Sequence, residues 1–405
     1  MISGETLRAV VASQRRDLAS LEYGIEREDV KGIDLNLPFA FVLTGIRRCG
    51  KSTLLRQLMK KVKSSYYYFN FEDSRITGFE ARDFERLEEA LREEYGECNH
   101  YFFDEIQTAV GWELFVRTRL DVGKKFVITG SNASLLSREL GTKLTGRHLN
   151  REIFPFSYKE MLVITGKKPG VTSFKEYLEK GGFPDYLKHV NPEFLQELFF
   201  DVISRDILVR HKLRNAKTVN EMALYLLSNT GKEFSYNGLK QTFGLGSANS
   251  AISFVSYFED SYLLFTIPKF DYSLKKQLVN PKKVYSIDNG LSSVNSVSFS
   301  QDKGRMLENT VFLHLRNKYK KIFYYKEKAE CNFVVKEKEK ITTAIQVCYK
   351  LHVDNQAREV EGLAAALKEF NLPSGLILTL DQDDELVVGS KKIFVKPVWK
   401  WLLEE

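Results

Sequence analysis

Nine consecutive residues carry the clearest chemistry in this chain: Gly45-Ile46-Arg47-Arg48-Cys49-Gly50-Lys51-Ser52-Thr53 has the spacing GxxxxGKS. Glycines at the two ends of such a loop let successive backbone N–H groups converge on one concavity, which a Cβ at either position would crowd. Lys51 adds a point charge suited to β- and γ-phosphates, and Ser52 adds a hydroxyl suited to Mg²⁺. The elements needed to hold this loop stand on either side of it. Phe39-Ala40-Phe41-Val42-Leu43 is a short apolar run expected to form a buried strand, and Thr53-Leu54-Leu55-Arg56-Gln57-Leu58 continues a helix from Ser52. The positive end of that helix faces the same concavity, so the whole segment is expected to bind a nucleoside triphosphate.

Three further strand ends supply partners for this loop. Tyr101-Phe102-Phe103 is a short apolar strand ending in Asp104-Glu105. Asp104 is suited to holding Mg²⁺ through water and Glu105 to polarising an attacking water, and an acidic pair directly after the strand favours hydrolysis over phosphoryl transfer to another substrate. Lys125-Phe126-Val127-Ile128-Thr129 runs into Gly130-Ser131-Asn132, which places Ser131 or Asn132 to sense the γ-phosphate, although both residue types also cap helices. Leu144-Thr145-Gly146-Arg147-His148 precedes an expected fifth strand, Leu149–Phe154, and Arg147 is a candidate arginine finger, acting in its own subunit or on a neighbour.

The segments GIRRCGKSTLL (45–55), FFDEIQ (102–107), ITGSNASLL (128–136) and LTGRHLNREIFPFSYKEML (144–162) occur in that order. Together they resemble archaeal and bacterial ATPases of the AAA family that carry a DUF4143-type C-terminal region. EKGGFPDYL (179–187), the helix around Asp201 to Arg210, VYSIDNGL (284–291) and MLENTVFLHL (306–315) extend the resemblance over nearly the whole chain. It implies an α/β fold with a P-loop AAA-type core, a parallel sheet with helices on both faces. A winged-helix segment and a terminal α/β domain related to restriction endonucleases follow. The expected domains are an ATPase core at 1–156, a helical lid or linker at 157–214, a winged helix at 215–295 and a degenerate nuclease-like domain at 296–405. The preference for ATP over GTP rests on this resemblance, and no residue in the pre-loop segment around Ile25 to Leu37 identifies an adenine pocket.

The 405 residues, 43% of them hydrophobic, suffice for several cores. The longest apolar stretches reach only about ten residues, half of a bilayer span, and Glu5 and Arg8 interrupt any leader-like core, so a cytoplasmic enzyme without membrane contact is expected. Cys49, Cys98, Cys331 and Cys348 show no paired spacing, which argues for reduced thiols, with Cys49 a small filler inside the loop.

The formal charge of +7 is uneven: residues 303–352 hold 12 Lys plus Arg against 5 Glu. Within them, the stretch from Arg316 to Lys326 mixes Lys318, Lys320 and Lys321 with aromatics, as a surface that meets phosphates and stacks on bases would. Residues 219–267 follow the order helix, helix, turn, helix, strand, a winged helix-turn-helix pattern. Its third helix would offer Ser247, Asn249 and Ser250 to a groove, with Lys240, Lys269, Lys275 and Lys276 near phosphates. The nuclease-like family places Glu, Asp and Glu-x-Lys at its metal site. Glu308 matches the first, but Asn332 replaces Asp, and Gln346 and Cys348 stand where Glu and Lys would be. Neutral amides offset a divalent charge poorly, so this site is expected to be inactive.

These residues lead to an ATP- and Mg²⁺-dependent ATPase acting on DNA, expected to form homo-oligomers. A nucleotide-dependent switch acting on a protein partner is the second alternative. A third, an ATP-dependent nuclease, requires Mg²⁺-dependent cutting that disappears in Gln346→Ala or Asn332→Ala.

Overall fold

The protein is represented by a computed structural model that describes residues 1–131, 146–296 and 302–404, so Asn132 lies outside the described residues. The chain divides into two compact units, Met1–Ile153 and Phe154–Glu405.

The first unit contains α1 (Gly4–Ser20), β1 (Ala40–Thr44), α2 (Lys51–Met59), β2 (Tyr66–Asn70), α3 (Phe84–Tyr95), β3 (His100–Asp104), α4 (Trp112–Asp121), β4 (Lys125–Gly130) and β5 (His148–Glu152). The strands pair in parallel in the order β2-β3-β4-β1-β5. Every residue of β1 is buried, as a parallel strand covered by helices on its faces requires. Aromatic side chains seal one face of the sheet: Phe84 of α3 stacks on Phe115 of α4 at 4.7 Å, and Phe71 meets Phe103 edge-on at 5.2 Å. Such pairs contribute beyond the area they bury. The topology matters for chemistry because β4 lies between β1 and β3, bringing the ends of three strands side by side.

The second unit begins with α5 (Tyr158–Thr165), α6 (Val171–Lys180), α7 (Pro184–His189) and α8 (Pro192–Asp201), the last continued by a π-helical stretch over Val202–Val209. There follow α9 (Ala216–Ser228), β6 (Glu233–Phe234), α10 (Tyr236–Thr242), α11 (Ala248–Asp260), β7 (Leu264–Pro268), α12 (Leu274–Val279), β8 (Lys282–Ser286) and α13 (Asn289–Asn295). The remainder is α14 (Lys303–Lys318), β9 (Ile322–Lys326), β10 (Glu330–Glu337), β11 (Lys340–Val347), α15 (Val353–Glu369), β12 (Ser374–Thr379), β13 (Asp384–Val388), β14 (Lys391–Pro397) and α16 (Val398–Glu404). A three-stranded sheet has the order β6-β8-β7, and a six-stranded one the order β13-β14-β12-β11-β10-β9.

Three segments of this unit interlock through buried polar atoms. Asp288 caps α13 by accepting from the Leu291 N–H at 2.9 Å and also accepts from the Gly182 N–H at 2.6 Å. The Asn289 amide donates to Met306 O at 3.0 Å and to Thr310 Oγ1 at 2.9 Å, and its own oxygen accepts from Asn309 at 2.9 Å. The stretches EKGGFPDYL, VYSIDNGL and MLENTVFLHL therefore meet in one packed network. Burial pushes the Asp288 carboxyl up to about 6, against three backbone N–H bonds that favour its charged form.

The mixed basic and aromatic stretch after Arg316 corrects its sequence reading. Lys318, Lys320 and Lys321 are exposed, but Tyr324 and Tyr325 are buried and Phe323 packs against the core beside them, so these rings are not offered to bases. Strand alternation and the sheet's second layer take the aromatics inward while the lysines stay wet. Arg316 lies over the Phe265 ring at 5.6 Å.

Candidate functional site

The loop between β1 and α2 is shaped by two backbone conformations that side chains resist. Gly45 has φ +155°, and a Cβ there would lie 2.1 Å from Ile153 O; Gly50 has φ +101°, and a Cβ there would lie 2.7 Å from the Arg27 guanidinium. Both glycines are therefore required by close approach as well as by backbone angle. Arg27, buried, donates to Cys49 O at 2.8 Å, while its backbone N–H donates to Gln57 Oε1 at 3.0 Å. Gln57 in turn donates to Tyr23 O at 2.8 Å. The segment before β1 is thus tied both to the loop and to the helix after it.

Lys51 is 4% exposed and donates to Gly45 O at 3.0 Å and Ile46 O at 3.2 Å, with Glu105 Oε1 3.6 Å away. Burial alone would depress its ammonium, but the facing carboxylates, Glu105 first and then Asp104, hold it above the ordinary lysine value. Ser52 Oγ donates to Asp104 Oδ1 at 3.1 Å. Burial first, then the neighbouring Glu105 charge, raises the Asp104 carboxyl to about 6. A divalent cation would offset that cost, and the Ser52 hydroxyl and Asp104 carboxylate, already in contact, form the hard-oxygen pair that Mg²⁺ takes alongside phosphate oxygens and water.

Thr129, at the end of β4, was missed as a functional residue in the sequence. Its hydroxyl donates to Asp104 Oδ1 and accepts from the Glu105 N–H at 2.9 Å, so one side chain fixes both acidic residues. Glu105 sits at φ +51°, in the left-handed region, which turns its carboxylate back toward the loop. Gln107 donates to Glu105 Oε2 and to Ser131 Oγ at 3.4 Å. The only sequence signals for Thr129 and Gln107 are their places in FFDEIQ and ITGSN, because neither residue type is diagnostic by itself.

Ser131 thus lies with Lys51, Ser52, Asp104 and Glu105 at one end of the sheet. Arg147 does not. It precedes β5, its carbonyl accepts from the Ala40 N–H at 3.0 Å at the start of β1, and its guanidinium pairs with Asp121. The loop follows the other end of β1, a strand length of roughly 15 Å away, so Arg147 does not reach the loop of its own chain. Of the remaining loop residues, Ile46 and Cys49 are buried, Arg47 pairs with Glu72 at 3.2 Å, Arg48 has φ +61°, and Thr53 Oγ1 accepts from Arg56 at 3.1 Å. Burial holds the Cys49 thiol above its ordinary value, against the lowering influence of Lys51 and Arg27, so it is a packed filler rather than a reactive thiolate.

The candidates in the second unit are scattered. Lys240, Asn249, Lys269, Lys275 and Lys276 lie between α10 and the β7–β8 connection, all exposed except the half-buried Lys269. Ser247 is the N-cap of α11, accepting from the Ser250 N–H at 3.2 Å, so its hydroxyl is already engaged. Lys276 stands 3.6 Å from Asp271. Among the described residues no cluster of three His, Cys, Asp or Glu is placed to hold a metal, and no helix is long and apolar enough to cross a membrane.

The family model that matches the loop-bearing unit agrees with this geometry. A family model described as an AAA domain matches residues 38–162, and one described as a domain of unknown function (DUF8612) matches residues 171–300. The uncharacterized protein MJ1544 of Methanocaldococcus jannaschii is 34% identical over 395 residues, covering 89% of this chain and 88% of its own. An uncharacterized protein of Haemophilus influenzae is 28% identical over 333 residues, covering 77% of this chain and 83% of its own. Among solved structures, the Walker-type ATPase PABY2304 of Pyrococcus abyssi aligns with a TM-score of 0.42 at 16% identity, covering 67% of this chain and 95% of that one.

Proposed function

The chain belongs to the same family as the uncharacterized M. jannaschii protein and carries an AAA domain at residues 38–162, and from that premise we propose that it is a Mg²⁺-dependent ATPase whose turnover acts on DNA. The observation that carries the ATPase assignment is the convergence of Lys51, Ser52, Asp104 and Glu105 on one loop, with Thr129 bridging the Asp104 carboxylate and the Glu105 backbone N–H. Lys51 would hold the β- and γ-phosphates, Ser52 and Asp104 the cation, and Glu105 would take a proton from the attacking water while Gln107 orients it. Bound Mg²⁺ would neutralise charge on the phosphates as the bond to the γ-phosphorus breaks.

The DNA part of the proposal is supported by the order α9, β6, α10, α11, β7, β8, which suits a winged helix, and by the exposed Asn249 near the start of α11. The exposed Lys240, Lys318, Lys320 and Lys321, with Lys269, are the phosphate contacts in this scheme, and Arg147 acts on a neighbouring subunit.

We read the six-stranded sheet as a nuclease-like platform without cutting activity. Asn332 Oδ1 accepts from the Val347 N–H at 2.8 Å, Gln346 Oε1 accepts from the Asn332 N–H at 3.0 Å, and Gln346 Nε2 donates to Glu359 at 2.5 Å. Both amides are spent in joining β10, β11 and α15. Glu308 is held by the buried Lys283 ammonium at 3.0 Å, which also meets Glu330 at 2.5 Å, so a lysine stands where a metal would need to be.

The test is steady-state ATP hydrolysis by the wild type and Glu105→Gln, each with no polymer, linear duplex and branched DNA, at low and high salt. Glu105→Gln is expected to lower turnover by roughly 10²- to 10⁴-fold, and DNA stimulation should weaken with salt. Turnover indifferent to every polymer would move the assignment to the switch acting on a protein partner.

A further inference from the structure

The connection between β7 and β8 carries an exposed surface that phosphate contacts do not account for. Leu274 is 68% exposed, Leu278 62% and Val279 70%, and no residue of α12 is buried. Leu274 and Leu278 lie one helical turn apart on a common face. Between them are Lys275 and Lys276, and residues 269–282 hold four lysines against one aspartate. A backbone phosphate would engage the lysines but gives three wet aliphatic side chains nothing to bury against, whereas a protein surface does.

A surface of opposite character lies on the same unit. Residues 381–388 hold four acids, Asp381, Asp383, Asp384 and Glu385, and no base. Val387 of β13 is 68% exposed, and Phe394 on β14 is 36% exposed. The register pairs Glu385 with Phe394 and Val387 with Lys392, which puts both apolar side chains on one face. Glu385 and Asp383 are partly neutralised by Lys392 at 3.1 Å and Lys400 at 2.8 Å, so Asp381 and Asp384 carry the excess.

Placement makes the two surfaces a pair. The basic connection is rooted at β9, where the Phe270 N–H donates to Tyr324 O at 2.7 Å, while β13 forms the other edge of the same six-stranded sheet. Five strand spacings of about 4.8 Å separate the edges, so one copy cannot satisfy itself across its own sheet.

We propose that α12 of one copy docks on the acidic β13 edge of the next, a head-to-tail contact that propagates to a ring or a filament. It covers an edge strand that otherwise invites pairing, and it transfers Lys275 and Lys276 from DNA binding to self-assembly. The contact does not involve the nucleotide loop, so Lys51→Ala should assemble like the wild type even if the ATPase assignment fails.

The test is light scattering on the full chain over a concentration series, with two exposed-site variants checked for folding by circular dichroism: Lys275→Glu/Lys276→Glu and Asp381→Lys/Asp384→Lys. Each alone should weaken self-association by about tenfold or more. Mixed together, they should co-assemble in strict alternation, because the reversed faces of the two chains complement each other as the unreversed ones do. All four changes in one chain restore opposite charges and should restore assembly. A wild type that stays monomeric throughout, variants that assemble like the wild type, or a Lys275→Glu/Lys276→Glu chain that loses only duplex binding would each overturn the proposal, the last assigning this surface to nucleic acid.

Discussion

Thr129 holds the acidic pair by one hydroxyl, donating to the Asp104 carboxylate and accepting from the Glu105 backbone. Thr129→Val keeps the volume and removes both bonds. If the residue positions the acids rather than touching nucleotide, ATP turnover should fall roughly 10- to 100-fold, the cost of about 1.5–3 kcal/mol for hydrogen bonds to charged groups. Nucleotide affinity, measured by fluorescence titration, should change little. Lys51→Ala should show the opposite split, with binding itself lost. A Thr129→Val chain that loses affinity and turnover equally would place the hydroxyl on the nucleotide instead. Thr129 was legible in the sequence only as the last residue of an apolar run, because a threonine at a strand end has no distinctive chemistry until its neighbours across the sheet are known.

The polar network around α13 sets a pH dependence at the scale of elements. The Asp288 carboxyl has a folded value of about 6 against an ordinary 3.8, because burial outweighs its backbone bonds. Its stabilising contribution is complete below the ordinary value and is lost as pH rises through about 6, since there the folded state must bury a charge that the unfolded chain exposes. The full change is roughly 3 kcal/mol by linkage. Asp288→Asn should therefore flatten the fall in stability between pH 3.8 and 6 relative to the wild type, as read from urea unfolding at several pH values. A parallel pair of curves would mean that the carboxyl titrates normally. The amide pair across β10 and β11 makes a second prediction. Gln346→Ala leaves the Asn332 N–H and the Glu359 carboxylate short of a partner, which should cost about 1–3 kcal/mol of stability while leaving ATP turnover intact. Denaturant midpoints and hydrolysis assays on one preparation separate the two effects.

The whole molecule consists of two compact units, and the nucleotide loop belongs to the first of them, Met1–Ile153. Ligand binding stabilises what binds it, by about 2.7 kcal/mol at a hundredfold excess over Kd. Calorimetry with saturating Mg²⁺ and ATP should accordingly raise the transition of the first unit and leave that of the second in place. Lys51→Ala should abolish the shift. A shift of both transitions together would show that the units unfold cooperatively.

Local signals were enough to locate the loop, the strand before it and the helix after it, since GxxxxGKS demands particular backbone angles and the flanking apolar runs have strand and helix lengths. The acidic pair at Asp104 and Glu105 was legible for the same reason: it directly ends an apolar strand. Sequence order also indicated the helices and strands of residues 219–267, because caps such as Ser235 and Ser247 are local devices. Tertiary structure alone decided what depends on residues far apart in the chain. It put β4 between β1 and β3, which made Thr129 a clamp, and set Arg147 at the far end of the sheet. It turned the aromatics after Lys321 inward, and it spent the Asn332 and Gln346 amides on backbone groups. Periodicity and caps act over a few residues, whereas strand order and buried hydrogen bonds are settled only when distant segments compete for the same partners.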